Sequence, residues 1–523
     1  MSDFDLTVEE IFANKNEFIQ QARAFQSPES FNQTTIGGVI GTGISFLDIP
    51  NKGDRILGDP RARPLPFAFY RDMYRGGPTA TDWIRKYEQE TEDSWHERRQ
   101  RLFPVNYTQQ VVNKLVESEY GRPLIFEFLE KDDSPEQQAY DAWKKILNIN
   151  SVRISQARQR AIDGHSILQV LWDEEKGQVR LKKILPEHWF PILGDTFEDI
   201  EAVIIEKPKR RFDRESNAFQ NITRTEVYTQ DDIGIWEADI RLDPPNNQVK
   251  LGFLPFVVWQ GTRLTGFPLG DSLVRSAAEL NHAVNIVANN IAEMIRYQGF
   301  SLLVIQGEVG GLEIDPKTGR ATLRLSERAF LNVAADGGAA SFETPNPKIS
   351  ESLEVLDKWT RYMFETSAIP LAAISPQQGH VESGVSRQIS FQPLVEKVNE
   401  LWTEDEFVER KLFRKMMATH NAFQTSEGAK LDLEVKFNIK EPQGAVMPID
   451  ETTKLSNTIL SQDSGYITQE DALIRLNPFL TGKEIDMKLA ELEKEKVKNQ
   501  EEEDAKITNI MNGKNQLKEK EEA

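Results

Sequence analysis

The sequence predicts an α+β fold in which two long helices stand on either side of a small β unit. Two features predict it. Helical seams at 270–298 and 348–369 enclose a stretch rich in glycine and turn residues, and between 107 and 240 three helices are followed by a run of short strands. Helices and strands therefore segregate rather than alternate, which is the α+β pattern and not the α/β one.

Taken in order, residues 3–26 carry an amphipathic pattern (Leu6, Ile11, Phe18, Ile19) and predict one peripheral helix, while 36–78 is rich in glycine and proline and reads as irregular. The glycines of 36–44 fit no dinucleotide fingerprint, and no Gly-Lys-Ser/Thr follows them. Val111, Val112, Leu115 and Val116 predict a helix over 107–119 that stops at Gly121 and Pro123. Helices follow at about 135–147 and at 151–163, the latter ending at Gly164. Strands then read at 166–172, 178–184, 202–206, 223–229 and 233–240, separated by acidic and Asn/Gly turns.

Asp271 or Ser272 can cap a helix running to about Gln298. Its apolar positions Leu273, Ala277, Leu280, Val284, Val287, Ile291 and Met294 alternate at four and three, a narrow heptad-like seam. About 28 residues at 1.5 Å each give a rod of roughly 40 Å. A β unit follows: a strand at 302–305, a hairpin of 312–314 with 321–325 around Asp315 to Gly319, and another turn at Asp336 to Gly338. The second rod carries Ile349, Leu353, Leu356, Trp359 and Met363 on one face and ends near Pro370. A polar loop over 371–386 is long enough to expect a function. Next come a helix at about 388–420, with Pro393 in its first turns or as a kink, and a strand at 431–437. Thr468 and Asp471 then predict a capping box. The last 40 or so residues alternate Glu and Lys and read as a solvated helix fraying into a disordered tail over 501–523.

Composition narrows the function classes. Of 523 residues 39% are hydrophobic and 28% charged. The longest apolar run, Leu251 to Trp259, contains Gly252 and Pro255 and falls far short of the roughly 20 residues of a membrane span, so no membrane partner is expected. Residues 1–5 are acidic and show no secretory signal, so maturation in the cytoplasm is expected. With no cysteine, disulfides, thiol catalysis and Cys-type zinc sites are excluded. A formal charge of −20 argues against binding DNA by phosphate neutralisation. It is compatible with a surface that DNA slides past without sticking, or with mere solubility.

The six histidines are scattered, none in a His-Glu-x-x-His pattern, and His282 reads as an interface polar group. There is no Gly-x-Ser-x-Gly elbow and no Walker A sequence, so no nucleotide-driven motor activity is expected of this chain. Neither a metal nor a cofactor nor catalysis is expected.

Several stretches, in this order, resemble the portal proteins of tailed bacteriophages, in the Gp6-like branch: Asn106 to Pro123, Gln156 to Trp172, Leu185-Pro186, Leu254-Pro255 and the strand after it, Gly270 to Asn290, Ser367 to Pro370, Ser383 to Ser386 and Asp463 to Leu473. The resemblance covers roughly 80–500, and residues 1–75 match poorly. It implies a portal-type subunit with long stem helices, a small β clip, an α/β wing and a helical crown. The wing would be 1–265 and 388–445, the stem helices 266–298 and 348–369, the clip 299–347, the tunnel loop 370–387 and the crown 446–500.

It also implies a homododecameric ring at one capsid vertex, through which double-stranded DNA is packaged and ejected. Its partners would be the terminase, the major capsid and scaffolding proteins, and head-completion or tail adaptor proteins. The location would be the virion, and the host cytoplasm during assembly. The seams on the two rods would pack laterally. Lys317, Arg320 and Arg324 would meet an acidic partner or a neighbouring subunit, or form an ordinary charged hairpin. Gln377, Gln378, Gly379, His380, Val381, Glu382 and Ser383 would brush DNA phosphates, or form a plain surface loop. The alternative is another virion component, a head–tail adaptor or scaffold-associated protein.

Overall fold

The computed structural model describes residues 6–26, 67–128 (without 88 and 122), 134–194, 199–213, 218–237, 239–242, 251–264, 267–298, 348–373, 384–424, 426–440, 451–477, 480 and 484–498, together with the strand backbones between 302 and 343. The fold is α+β.

At the start are α1 (Val8–Ala13) and α2 (Lys15–Gln26). The sequence predicts one helix here, and the chain makes two. A reciprocal capping box between Thr7 and Glu10 starts α1, and Asn14 ends it. Next come α3 (Phe67–Arg75), α4 (Gly77–Thr81), α5 (Glu92–Arg99) and α6 (Tyr107–Tyr120). The first of these lies in the stretch read as irregular. It is a helix because Phe67, Tyr70 and Met73 share one face and are buried, with Phe69 buried beside them. After β1 (Ile125–Phe128) stand α7 (Pro135–Ile146) and α8 (Ile149–Asp163).

The strands β2 (His165–Asp173), β3 (Gln178–Ile184), β4 (Trp189–Leu193), β5 (Ile200–Asp213), β6 (Ala218–Tyr228), β7 (Ile233–Glu237), β8 (Ile240–Leu242) and β9 (Phe256–Gln260) make two antiparallel sheets, ordered β3-β2-β9 and β4-β5-β6-β7-β8. The β5–β6 ribbon is longer than its predicted strands, pairing from Val203–Tyr228 out to Asp213–Ala218. The sheets face each other through Ile167, Ile184, Val203, Ile205, Tyr228, Ile235 and Phe256, and α1 and α2 cover the other face of the larger sheet.

A short ribbon of β10 (Thr262–Leu264) and β11 (Phe267–Asp271) leads into α9 (Arg275–Gln298). Asp271 is therefore a strand residue and not a cap, and the helix begins later than its sequence suggests. Three glycines, Gly164, Gly261 and Gly270, set this junction. Gly261 N–H donates to Gly164 O at 2.6 Å, and a Cβ on Gly261 would lie 2.3 Å from the Asp271 carbonyl oxygen. Gly164 itself, at φ +86°, caps α8 in the left-handed region.

Beyond α9, β12 (Leu302–Gln306), β13 (Val309–Gly310), β14 (Glu313–Ile314), β15 (Ala321–Thr322), β16 (Asn332–Val333) and β17 (Ala339–Glu343) pair as nested antiparallel ladders, β12 with β17, β13 with β16 and β14 with β15. The chain returns through α10 (Ile349–Thr366) and, after a 3-10 turn at Leu371–Ala373, through α11 (Gly384–Phe423). The expected loop over 370–387 is thus shorter at both ends. Pro393 sits inside α11, a 40-residue helix. The strand expected at 431–437 is instead β18 (Phe437–Lys440), which pairs with β1. Last are α12 (Glu451–Asp463), α13 (Gln469–Leu476) and a helix over 484–498. The capping box of Thr468 and Asp471 forms as predicted.

One large core joins α3, α6, α8, β2, β9, the start of α9, the end of α10 and most of α11. Phe413 is its aromatic centre, edge-on to Tyr140 at 5.5 Å and to Phe437 at 5.2 Å. Ion pairs are buried inside it. Arg153 grips Glu409 with two bonds of 2.9 and 2.7 Å, and Arg160 bonds both Glu119 and Asp405. The Tyr120 hydroxyl donates to Asp405 at 2.6 Å. Burial pushes the Glu119 carboxyl well up even with Arg160 beside it. Charges so placed are costly to leave alone and need each partner present, so they lock α6, α8 and α11 in register.

Candidate functional site

The two rods are α9 and α10, which pack on each other and are joined at their far end by the nested β ladders. Along α9, Ala277, Val284 and Ile291 are buried within the subunit, Ala278 and, just before the helix, Val274 are buried beside them, and Leu280, Val287 and Met294 are half-buried. Leu273 lies in the turn before the helix and is half-buried. Ile295, in the last turns, is 55% exposed.

A different feature fixes one whole face of this rod. Asn281, Asn285 and Asn289 stand four residues apart, and their amides bond the backbone of segment 103–108, an irregular strap over 103–106 that runs into the first turn of α6. Tyr107 N–H and Thr108 N–H donate to Asn281 Oδ1 at 2.8 Å each, and Asn281 Nδ2 donates to Val105 O at 2.7 Å. Val105 N–H donates to Asn285 Oδ1 at 2.7 Å, while Asn289 accepts from Phe103 N–H at 3.1 Å and donates to Phe103 O at 2.8 Å. Four residues of helix rise about 6 Å, and two residues of extended chain span about 6.6 Å. The two repeats match closely enough for one asparagine to meet every second strap residue. Further along, Tyr87 OH bonds Asn290 and Arg101 pairs with Glu293 at 3.3 Å. There Arg98, Arg101, Leu102, Asn289, Ala292, Glu293 and Arg296 line a small cleft.

His282 lies inside the subunit, edge-on to Phe69 at 5.8 Å, and burial pushes its pKa down to about 4. It is a neutral packing group here.

The opposite rod is less covered. Met363 is fully buried, and Phe364 packs edge-on to Tyr107 at 5.7 Å. Towards the N-terminus of α10, Leu356 and Trp359 are half-buried and Leu353 is 49% exposed. Val355 and Tyr362 are exposed as well and share a stripe with Trp359. Among the described residues no group of three His, Asp or Glu is placed to hold a metal ion. No helix among them is long and apolar enough to cross a membrane. Gln377, Gln378, Gly379, His380, Val381, Glu382 and Ser383 lie outside the described residues, as do Lys317, Arg320, Arg324 and the expected tail over 501–523.

The asparagine ladder is the element that periodic reading of apolar residues passes over. Its signal is present in the sequence: three asparagines at i, i+4 and i+8 in a helix otherwise rich in Ala, Val and Ile.

The site is a helix pair rooted in an ion-locked core, with more of its apolar side chains uncovered on α10 than on α9. The chain belongs to the phage portal proteins of the SPP1 Gp6-like family, whose model matches residues 71–506. This is a family of structural proteins, and the chain has a portal role. Among solved structures, a chain from the virion of a native gene transfer agent particle aligns at 10% identity and TM-score 0.43, covering 79% of this chain and 93% of that one. A chain from the neck of the empty particle, computed with C6 symmetry, aligns at 12% identity and TM-score 0.44, covering 75% and 95%. One from the neck of the native particle, computed with C12 symmetry, aligns at 12% identity and TM-score 0.41, covering 71% and 89%. No curated protein matches.

Proposed function

We propose that twelve copies of this chain close into a ring at one capsid vertex, and that double-stranded DNA passes through its axis during packaging and ejection. In this reading α9 and α10 are the stem, the nested ladders between them the clip, and residues 370–387 the tunnel loop. Residues 1–265 and 388–445 form the wing, and 446–500 the crown. The observation that carries it is that α10 is open on two sides: Val355 and Tyr362 are exposed on one and Leu353 on the other, although α9 is packed beside the helix. A helix of a monomeric protein turns such residues inward. A neighbouring copy would cover them, and contacts of one unlike patch on another close into a ring when the rotation allows it.

The tunnel loop would touch the passing phosphates through Gln377, Gln378 and His380. Lys317, Arg320 and Arg324 of the clip would meet the terminase first and head-completion or tail adaptor proteins afterwards, while the wing would face the major capsid and scaffolding proteins. The ring would assemble in the host cytoplasm and remain in the virion. Negative-stain images of the purified full chain test this. Annular particles with a central opening wide enough for a duplex are expected. Monodisperse single subunits at all concentrations would contradict it.

A further inference from the structure

The larger sheet extends past the smaller one that packs on it, and the uncovered part is charged in an unusual way. Directly opposed residues of an antiparallel pair share a face, so Lys207 and Arg224 lie together, as do Lys209 and Ile222, Arg224 and Glu237, and Glu237 and Ile240. Lys182 reaches the same place from β3, in the facing sheet, close to Lys207, Arg224 and Glu226. Lys207 and Arg224 bond Glu226 at 3.3 and 2.9 Å, and Lys209 and Arg224 bond Glu237 at 2.6 and 3.3 Å. Four cations therefore share two carboxylates, in a chain whose formal charge is −20. Glu226 is almost fully enclosed, with 3% of its side chain exposed, so it stays bound to its present partners. Burial, and next the nearby Lys207 ammonium, push Lys182 down to about 8. On the same face Ile240 is 64% and Leu242 36% exposed, in the short edge strand β8.

We propose that this open end of the two-sheet layer binds an acidic polypeptide segment of a partner protein, its carboxylates meeting Lys182, Lys207, Lys209 and Arg224 and its apolar side chains meeting Ile240 and Leu242. A polypeptide fits better than a nucleic acid. Phosphates follow one another along a strand without a break, and Glu226 and Glu237 stand among the cations where a continuous polyanion would be repelled. A peptide can set acidic residues against the lysines and neutral or apolar ones between them. Its backbone can also use the outer edge of β8, which no strand among the described residues pairs. Binding here does not depend on ring assembly.

Fluorescence anisotropy of a labelled peptide of repeating Glu-Glu-Leu, titrated with the full chain, tests it. Saturable binding that weakens with salt is expected. Lys209→Glu, at a half-exposed side chain, should weaken it about tenfold, the effect of about 1.4 kcal/mol, with the circular dichroism spectrum of the wild type retained. Ile240→Asp should weaken it by a smaller factor, because it removes only the apolar contact. Three results would overturn the assignment: no saturable binding, an affinity unchanged by both substitutions, or displacement of the peptide by duplex DNA at a lower concentration than by unlabelled peptide.

Discussion

The rods α9 and α10 differ in where their apolar and polar groups are satisfied. In α9 most of the apolar seam is spent inside the subunit, with Ala277, Val284 and Ile291 buried and Ile295 open only in the last turns, and the asparagine face is used on the subunit's own strap. In α10 only the C-terminal end is treated this way, through Met363 and Phe364, while Leu353, Val355 and Tyr362 are left open. One rod is a fixture of its own subunit. The other keeps its surface for something outside. Two helices of similar apolar periodicity can thus have opposite roles, and burial separates them where periodicity does not.

Substitutions can break this contrast, and the largest effect is expected at Val284. It is fully buried, so Val284→Asp places an unpaired charge in the core at a cost of roughly 3–5 kcal/mol. Loss of soluble folded subunit, followed by circular dichroism and thermal unfolding, is the expected result. A normal unfolding profile would show that α9 is not anchored as described. Asn281→Ala removes the acceptor of two backbone N–H groups and the donor to Val105 O, and should cost roughly 2–4 kcal/mol in denaturant unfolding. A change within a few tenths of a kcal/mol would mean water replaces the ladder.

A pH effect comes next, in the core beneath the rods. The Lys415 ammonium donates to Leu254 O at 2.5 Å and Phe256 O at 2.7 Å, and burial, with Lys411 nearby, pushes its pKa down to about 7. The unfolded chain keeps that proton to higher pH. Between the two pKa values the unfolded state therefore binds more protons, and stability rises with pH by up to about 1.4 kcal/mol per unit. The wild type should gain in melting temperature over Lys415→Met between pH 7 and pH 9. A difference that does not change with pH would contradict this environment for Lys415. The smallest effect on the subunit is expected at Leu353. Half exposed, Leu353→Asp should alter its stability by no more than about 0.5 kcal/mol and yet reduce the yield of rings on size-exclusion chromatography.

Much of this was legible where the determinants are local. The capping box of Thr468 and Asp471, the stop at Gly164 and the seams of both rods depend on residues within a turn or two of each other. Elements completed from far away were not legible. The four-residue β1 exists because Phe437–Lys440 comes to pair with it, and the partners of Arg160 lie 41 and 245 residues distant. The late start of α9 has the same origin, since Phe267–Asp271 is drawn into a ribbon with β10 and crowded by two other glycine backbones. The seam of α9 was visible, but periodicity marks an apolar face without naming what covers it. The asparagine ladder was visible too, as a spacing, and needed only the match between helix rise and strand repeat to be understood.

The most direct measurement uses the absence of native cysteine. With Leu353→Cys as the only thiol in the chain, maleimide labelling can be compared between dispersed subunits and assembled particles. Rapid labelling of the subunit and strong protection in the particle is the expected result, because a neighbouring copy covers the side of α10 on which Leu353 stands. Equal labelling in both states would show that this side of α10 remains bare, and that Leu353 does not help to hold the ring together.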